Sequence, residues 1–165
     1  MDLVEEALRA ELPKLAVDFF VVFSRFECAL KRSGIYAIGD DNGVSPDWDK
    51  FARDLGQGFL VDVIALEIAP VLVANPPKKQ VKLDDGMLGW KDTNAVERTS
   101  DLFLAIRRVR NNLVHGAKYQ DGGAGHMDFV DGSERDDLLL SQSMAVMSFA
   151  LEVRPDIHDY FRRYG

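Results

Sequence analysis

The stretch Asp101–Lys118, DLFLAIRRVRNNLVHGAK, constrains this chain more than any other. Leu102, Ile106, Val109 and Leu113 recur at helical spacing. At about 100° per residue they fall within about 60° of one another, a narrow apolar stripe suited to packing on a core. Leu104, Asn111 and His115 lie nearly opposite. Gly116 follows, where a left-handed helix cap favours a residue without Cβ. Thr93 or Asn94 is placed to cap the start, so a helix is predicted over about 95–115. One face seeks a core. The other ends in Asn and His beside Arg107, Arg108 and Arg110, where a face needing only solubility would draw on Glu and Lys.

The rest of the chain supplies partners for that helix. Residues 2–12 read as a short helix that stops at Pro13 or leads into the next. Pro13 suits a first turn, and a long helix is predicted over about 13–32, with Leu15, Phe19, Val22, Phe23, Phe26 and Leu30 inward. Glu27 and Lys31, one turn apart, suit a surface pair. Ile35 to Val44 reads as a solvated loop. Asp40, Asp41 and Asn42 hint at a calcium loop, but Ser45 and Phe51 stand where its glycine and closing glutamate belong. Ser45-Pro46 reads as a helix start, and Trp48, Phe51 and Leu55 as that helix's inner face. A further helix is expected from Phe59 to about Ile68. Asn75-Pro76-Pro77-Lys78-Lys79 to Asp92 reads as the longest irregular segment. Pro-Pro excludes a helix interior there. Its two lysines suit either an RNA-contacting loop or a plain solvated connection, and Trp90 is expected to anchor it. Tyr119 to Gly132, which holds His126, reads as a flexible loop. The last helices are expected over about 134–152 and from Pro155 on, with Met144 and Met147 filling the core and His158 exposed.

Charge narrows the functional classes. The net charge of −7 argues against a long surface that tracks nucleic acid, because phosphate contacts need cations. Between Arg98 and Lys118, however, five basic residues face one acid, Asp101. A basic spot on an acidic body suits a small phosphate site. The single cysteine, Cys28, excludes an internal disulfide and a multi-cysteine zinc site, and it fits a reducing, cytoplasmic setting. The start, MDLVEEALRAELPKL, lacks the basic opening and apolar middle of a signal peptide, and no apolar run approaches the ~20 residues of a membrane span. GGAGH is no phosphate cradle, since no P-loop lysine follows.

Arg110-Asn111-Asn112-Leu113-Val114-His115 resembles the motif of HEPN domains, an Arg separated from a His by a few residues with a polar residue just after the Arg. The string RNNLVHG is similar to that motif as it stands in many bacterial members. The likeness covers this helix, extends loosely to FSRFECALKR and to the late helix opening with Arg135-Asp136, and is only an outline across the middle third. It implies an all-α, HEPN-like helical bundle of about four to six helices, one domain over residues 1–165. It also implies a metal-independent endoribonuclease whose site forms between two motif copies of a homodimer. Such a protein would act on single-stranded or loop RNA as a toxin or defence effector, with no cofactor and with an antitoxin as one partner. Catalysis would fall to Arg110, Asn111 and His115, and RNA contact to Arg107, Arg108 and Lys118. Ala117 stands where HEPN toxins under tyrosine modification carry Tyr two residues after the His, so that control is not expected here.

The residue types fit the chemistry. Attack of a 2′-hydroxyl on the adjacent phosphate needs a base, an acid for the leaving 5′-oxygen, and a cation on the phosphoryl oxygens. His, titrating near neutrality, suits the first two roles, and the Arg fork suits the third. Asn can orient the imidazole. Arg110 and His115 are about 140° apart on a helix, whereas Asn111 and His115 share a face. Two copies across a two-fold axis would therefore bring two His and two Arg around one phosphate, with Leu104 as a dimer contact. Three alternatives stand beside this. Arg110 can snorkel from the apolar stripe while His115 serves as a helix C-terminal cation. The chain can be a non-catalytic HEPN-like dimerisation or adaptor module. It can also be a nucleotide-binding module that uses the same Arg/His pocket.

Overall fold

In the computed structural model, residues 3–8, 12–115 and 133–163 are described, except for the side chains of 6–8, 115 and 133. Helix α1 is Leu3–Leu8 and α2 is Lys14–Arg32. Pro13 serves as the N-cap of α2, and Ala16, Phe19, Phe23, Phe26, Ala29 and Leu30 are its buried side. Spacings of three and four put these on one face, as expected. The helix ends where Ser33 Oγ donates to Leu30 O at 2.6 Å and Gly34 takes φ +70°. That hydroxyl also accepts from Tyr36 N at 3.3 Å, helping to turn the Tyr36 side chain inward to 1% exposure.

The expectation of an all-α bundle of four to six helices is corrected here. The described residues hold eight helices and two antiparallel two-stranded sheets. The first sheet pairs β1, Ala37–Asp40, with β2, Gly43–Pro46. Asp40 Oδ1 accepts from Asn42 N at 2.8 Å, so the acidic run is an Asx-type hairpin turn. A Cβ on Gly39 would sit 2.0 Å from Gly43 O, which explains the glycine. Ser45-Pro46 therefore closes a strand. Asp47 caps the next helix, accepting from Lys50 N at 3.0 Å.

The second sheet pairs β3, Lys79–Lys82, with β4, Leu88–Lys91, inside the segment expected to be irregular. Both hairpins are short, and β1 and β2 expose nearly every residue. Neither presents the apolar alternation that marks a half-buried strand.

Between the sheets, α3 is Trp48–Leu55, α4 is Gln57–Ala65 and α5 is Pro70–Ala74. Gly56, at φ +74°, ends α3 and starts α4. The first amides of α5 find their acceptor far away in sequence. Gln142 Oε1 accepts from Val71 N at 2.9 Å and Leu72 N at 3.0 Å. Helix α6 is Thr99–His115, α7 is Ser133–Val153 and α8 is Pro155–Arg163. Residues 116–132, with His126 and the expected loop, lie outside the described residues.

One hydrophobic cluster joins α2 to α8. At its centre Phe103 of α6 meets Trp48, Phe51 and Phe59 at 5.8, 5.4 and 5.8 Å between ring centroids. Trp48 stacks on Phe26 at 5.4 Å, and its Nε1 donates to Glu27 Oε1 at 3.0 Å. Glu27 thus anchors the indole where a surface pair with Lys31 had been expected. Tyr36, Asp54, Arg154 and Asp156 tie the β1 side of the core to the α7–α8 corner. Tyr36 donates to Asp54 Oδ2 at 2.9 Å, and Arg154 donates to Tyr36 Oη. Arg154 also forks onto Asp156 at 3.0 and 2.6 Å. Burial pushes the Tyr36 phenol up, and the Arg154 guanidinium holds the Asp156 carboxyl below the usual range.

Candidate functional site

Helix α6 begins four residues later than expected, and the cap explains why. Asp101 Oδ2 accepts from Arg98 N at 3.1 Å while the Arg98 guanidinium returns to Asp101 at 3.2 and 2.9 Å. A carboxylate that satisfies an open amide at a positive helix end is a strong start signal. The Arg98 contact holds the Asp101 carboxyl below its ordinary range. Thr99 Oγ1 donates to Gly56 O at 2.7 Å, fixing the helix start on the α3–α4 junction. Thr93 does not cap α6. Its hydroxyl donates to Pro77 O at 3.1 Å.

The apolar stripe behaves as read. Leu102 and Ile106 are fully buried, Val109 is nearly so, and Leu113 packs against the same cluster. The opposite face is exposed. Leu104 is 36% accessible and Val114 50%, with Asn111 open between them. Helical spacing puts Leu104, Arg108, Asn111 and the His115 backbone along one line. The His115 side chain, Gly116 and Lys118 lie outside what is described.

The three arginines take different surroundings. Arg107 reaches Asp49 of α3 at 4.0 Å, the outer limit of an ion pair. Arg108 lines an open groove of about 610 Å³ together with Lys91, Asn94, Arg98, Asp101 and Leu104. Arg110 leaves the line of Asn111 and leans towards α2. Its guanidinium carbon stands 5.3 Å from the centre of the Phe23 ring. Its Nε is buried with no hydrogen-bond partner among the described residues. Arg110 and Asn111 stand about 100° apart round the helix, and the Arg110–His115 offset expected from the spacing ends on a side chain outside what is described. It is Arg108 that the helix brings into line with Asn111.

Asn112 had drawn no role from the sequence, yet it is 4% exposed, and its Nδ2 donates to Lys78 O at 2.9 Å. That bond fastens the root of the β3–β4 hairpin to α6 one residue from Asn111. The one sequence signal was its place beside the apolar stripe, three residues after Val109. Trp90 is half-buried but does not belong to the hydrophobic cluster, so it is a hairpin residue and not the anchor expected.

A second flank is apolar. On α2, Val17, Phe20 and Val21 are 44%, 52% and 48% exposed. Phe20 precedes Phe23 by three residues and Glu27 by seven, which places it on the side of α2 that approaches α3 and α6. Val17 and Val21 lie about 120° and 160° round α2 from Phe23 and turn away, so of the three only Phe20 is on the side towards α6, while the polar groove lies towards the second hairpin. No group of three His, Cys, Asp or Glu side chains among the described residues is arranged to hold a metal. No described helix is long and apolar enough to cross a membrane.

The arrangement can present Arg108 to an anion at the outer face, while Arg110 sits about 160° away round the helix, against Phe23. Arg108 has no side-chain partner among the described residues, and the buried Arg110 Nε keeps an unused donor. Compared with family models, curated proteins and solved structures, the chain matches none.

Proposed function

We propose that this protein is a metal-independent endoribonuclease of the HEPN type that works as a homodimer in the cytoplasm on single-stranded or loop RNA. The observation that carries the proposal is the outer face of α6. It sets Asn111 and the helix line to His115 between Arg108 and Arg110, with the exposed Val114 on the same outer side. The exposed Val114 of α6 and Phe20 of α2 would supply apolar surface for a second copy. A two-fold axis near Val114 would set two copies of the Arg110–His115 segment face to face. One His then removes the 2′-hydroxyl proton and the other protonates the 5′-oxygen. Arg110 of each copy holds the phosphoryl oxygens, and Asn111 orients the imidazole. Arg110 would take that role by swinging its guanidinium off the Phe23 ring, since its Nε is buried as it stands. Arg107, Arg108 and Lys118 would steer the strand. Service as a toxin or defence effector, with or without an antitoxin, belongs to the same proposal.

The deciding experiment incubates purified protein with mixed RNA in EDTA, beside His115→Ala and Arg110→Ala. Wild type should cleave and leave 2′,3′-cyclic phosphate ends, while both variants should lose the activity. Equal cleavage by all three would remove the proposal. A second reading, a dimerisation or adaptor module without activity, is favoured by the apolar flank taken alone. It predicts that Phe20→Asp disrupts association while Arg110→Ala changes nothing measurable.

A further inference from the structure

The β3–β4 hairpin carries an electrostatic arrangement that its own stability does not explain. In the register of the pair, Lys79 stands directly opposite Lys91. Side chains so placed have Cβ atoms about 4.5–5.5 Å apart, and like charges there are destabilising. The next position outward is balanced, since Lys78 Nζ lies 3.7 Å from Asp92. Lys79 and Lys91 are both exposed, and neither side chain has a partner among the described residues. The acids of the hairpin, Asp84 and Asp85, sit at the far turn, where Asp85 accepts from Met87 N at 2.9 Å. Lysines do blunt open strand edges. A Lys–Glu pair would serve that end without the repulsion.

The lysine pair is also held in a defined place. Thr93 Oγ1 closes the hairpin base on Pro77 O, and Asn112 of α6 holds Lys78 O at 2.9 Å. Lys91 lines the same groove as Arg108. Lys91 from the hairpin and Arg108 from α6 therefore border one open channel, whose lining also holds Asp92, paired with Lys78, Asp101, paired with Arg98, and Glu97. A polyanion laid along the channel would relieve the Lys79–Lys91 repulsion and meet Arg108 next.

We infer that Lys79 and Lys91 form a phosphate clamp that holds single-stranded RNA on the approach to α6, so that the hairpin binds the strand outside the bonds that are broken. This rests on the RNA-directed reading above and names the path of the substrate. It assigns no chemical step to the lysines. They position the strand through its backbone and read no sequence.

The test separates binding from cleavage. A fluorescently labelled 2′-O-methyl RNA of about 12 nucleotides, within the usual span of a single-strand site, lacks the attacking hydroxyl and reports binding alone. Its anisotropy is titrated at several salt concentrations with wild type, K79Q/K91Q, K79R/K91R, and K14Q/R162Q as a control of equal charge. The inference expects affinity about tenfold lower for K79Q/K91Q, and a salt slope reduced by about 1.4 from two lost phosphate contacts. K79R/K91R and the control should stay close to wild type. Unchanged binding by K79Q/K91Q, an equal loss in the control, or no binding by wild type would overturn it. Lysine-dependent binding without cleavage of ordinary RNA would retain the clamp and discard the nuclease. Cleavage with lysine-independent binding would do the reverse.

Discussion

Replacing Arg110 with methionine separates structural use of that side chain from functional use. Met keeps an unbranched apolar stem against the Phe23 ring and removes both the charge and the orphaned Nε. Two terms then oppose. The guanidinium stands 5.3 Å from the ring centre, in the range of a cation–π contact, and losing such a contact at a half-buried site costs about 0.5–2 kcal/mol. Removing a buried donor that has no partner returns about 1–3 kcal/mol. The balance runs from a net loss of about 1 kcal/mol to a net gain of about 2.5 kcal/mol, so Tm should fall by at most about 4 °C for a chain of this size. Activity should respond quite differently. Losing one positioned cation at a phosphoryl transition state lowers cleavage on the order of 100-fold or more. Urea unfolding followed by tryptophan fluorescence, together with RNA cleavage in EDTA on the same preparations, gives both numbers. Destabilisation beyond about 2 kcal/mol with cleavage intact would refute the reasoning, because Arg110 would then be a core residue that snorkels.

Three further outcomes test the fold that positions the site. Phe103→Ala, at the meeting of Trp48, Phe51 and Phe59, should cost about 3–5 kcal/mol in urea unfolding, and a loss under about 1 kcal/mol would show that the aromatic cluster is not the core. Gln142→Leu leaves the Val71 and Leu72 amides without their acceptor. It should lower stability by about 1–2 kcal/mol and speed hydrogen exchange at those two amides, whereas unchanged exchange would reject the long-range cap. Asp156, with its carboxyl lowered by Arg154, stabilises the fold above the ordinary carboxylate range and loses that contribution as pH falls through its lowered value. Its side chain is 44% exposed, so solvent screening limits the effect to at most about 1 kcal/mol. Asp156→Asn should therefore narrow the stability difference between neutral and acid unfolding curves, and superimposable wild-type and variant differences would contradict the assignment.

What the sequence revealed was what periodicity reveals. The stripes of α2 and α6 repeat over several turns, so their inner faces were readable as Phe19, Phe23 and Phe26 and as Leu102, Ile106 and Val109. The hairpins escaped because four-residue strands with little burial carry no such signal, and Asp40-Asp41-Asn42 suggests a turn without saying what it joins. Asp47 was passed over as a cap because Ser45-Pro46 offers the more familiar helix start, yet Pro46 completes a strand. Distant partners were beyond reach. Nothing near Val71 announces Gln142, and nothing near Lys78 announces Asn112. At the candidate site, the divergence of Arg110 from Asn111 followed from helix geometry alone. The ring beneath Arg110 and the alignment of Arg108 with the groove needed the tertiary packing.

The central claim is that the outer face of α6 is half of a site completed by a second copy. Light scattering on wild type and Phe20→Asp, with RNA cleavage read from the same samples, tests it most directly. The account predicts a wild-type dimer that cleaves, and a folded Phe20→Asp monomer that does not. A wild type that is monomeric at working concentration and still cleaves RNA would contradict it.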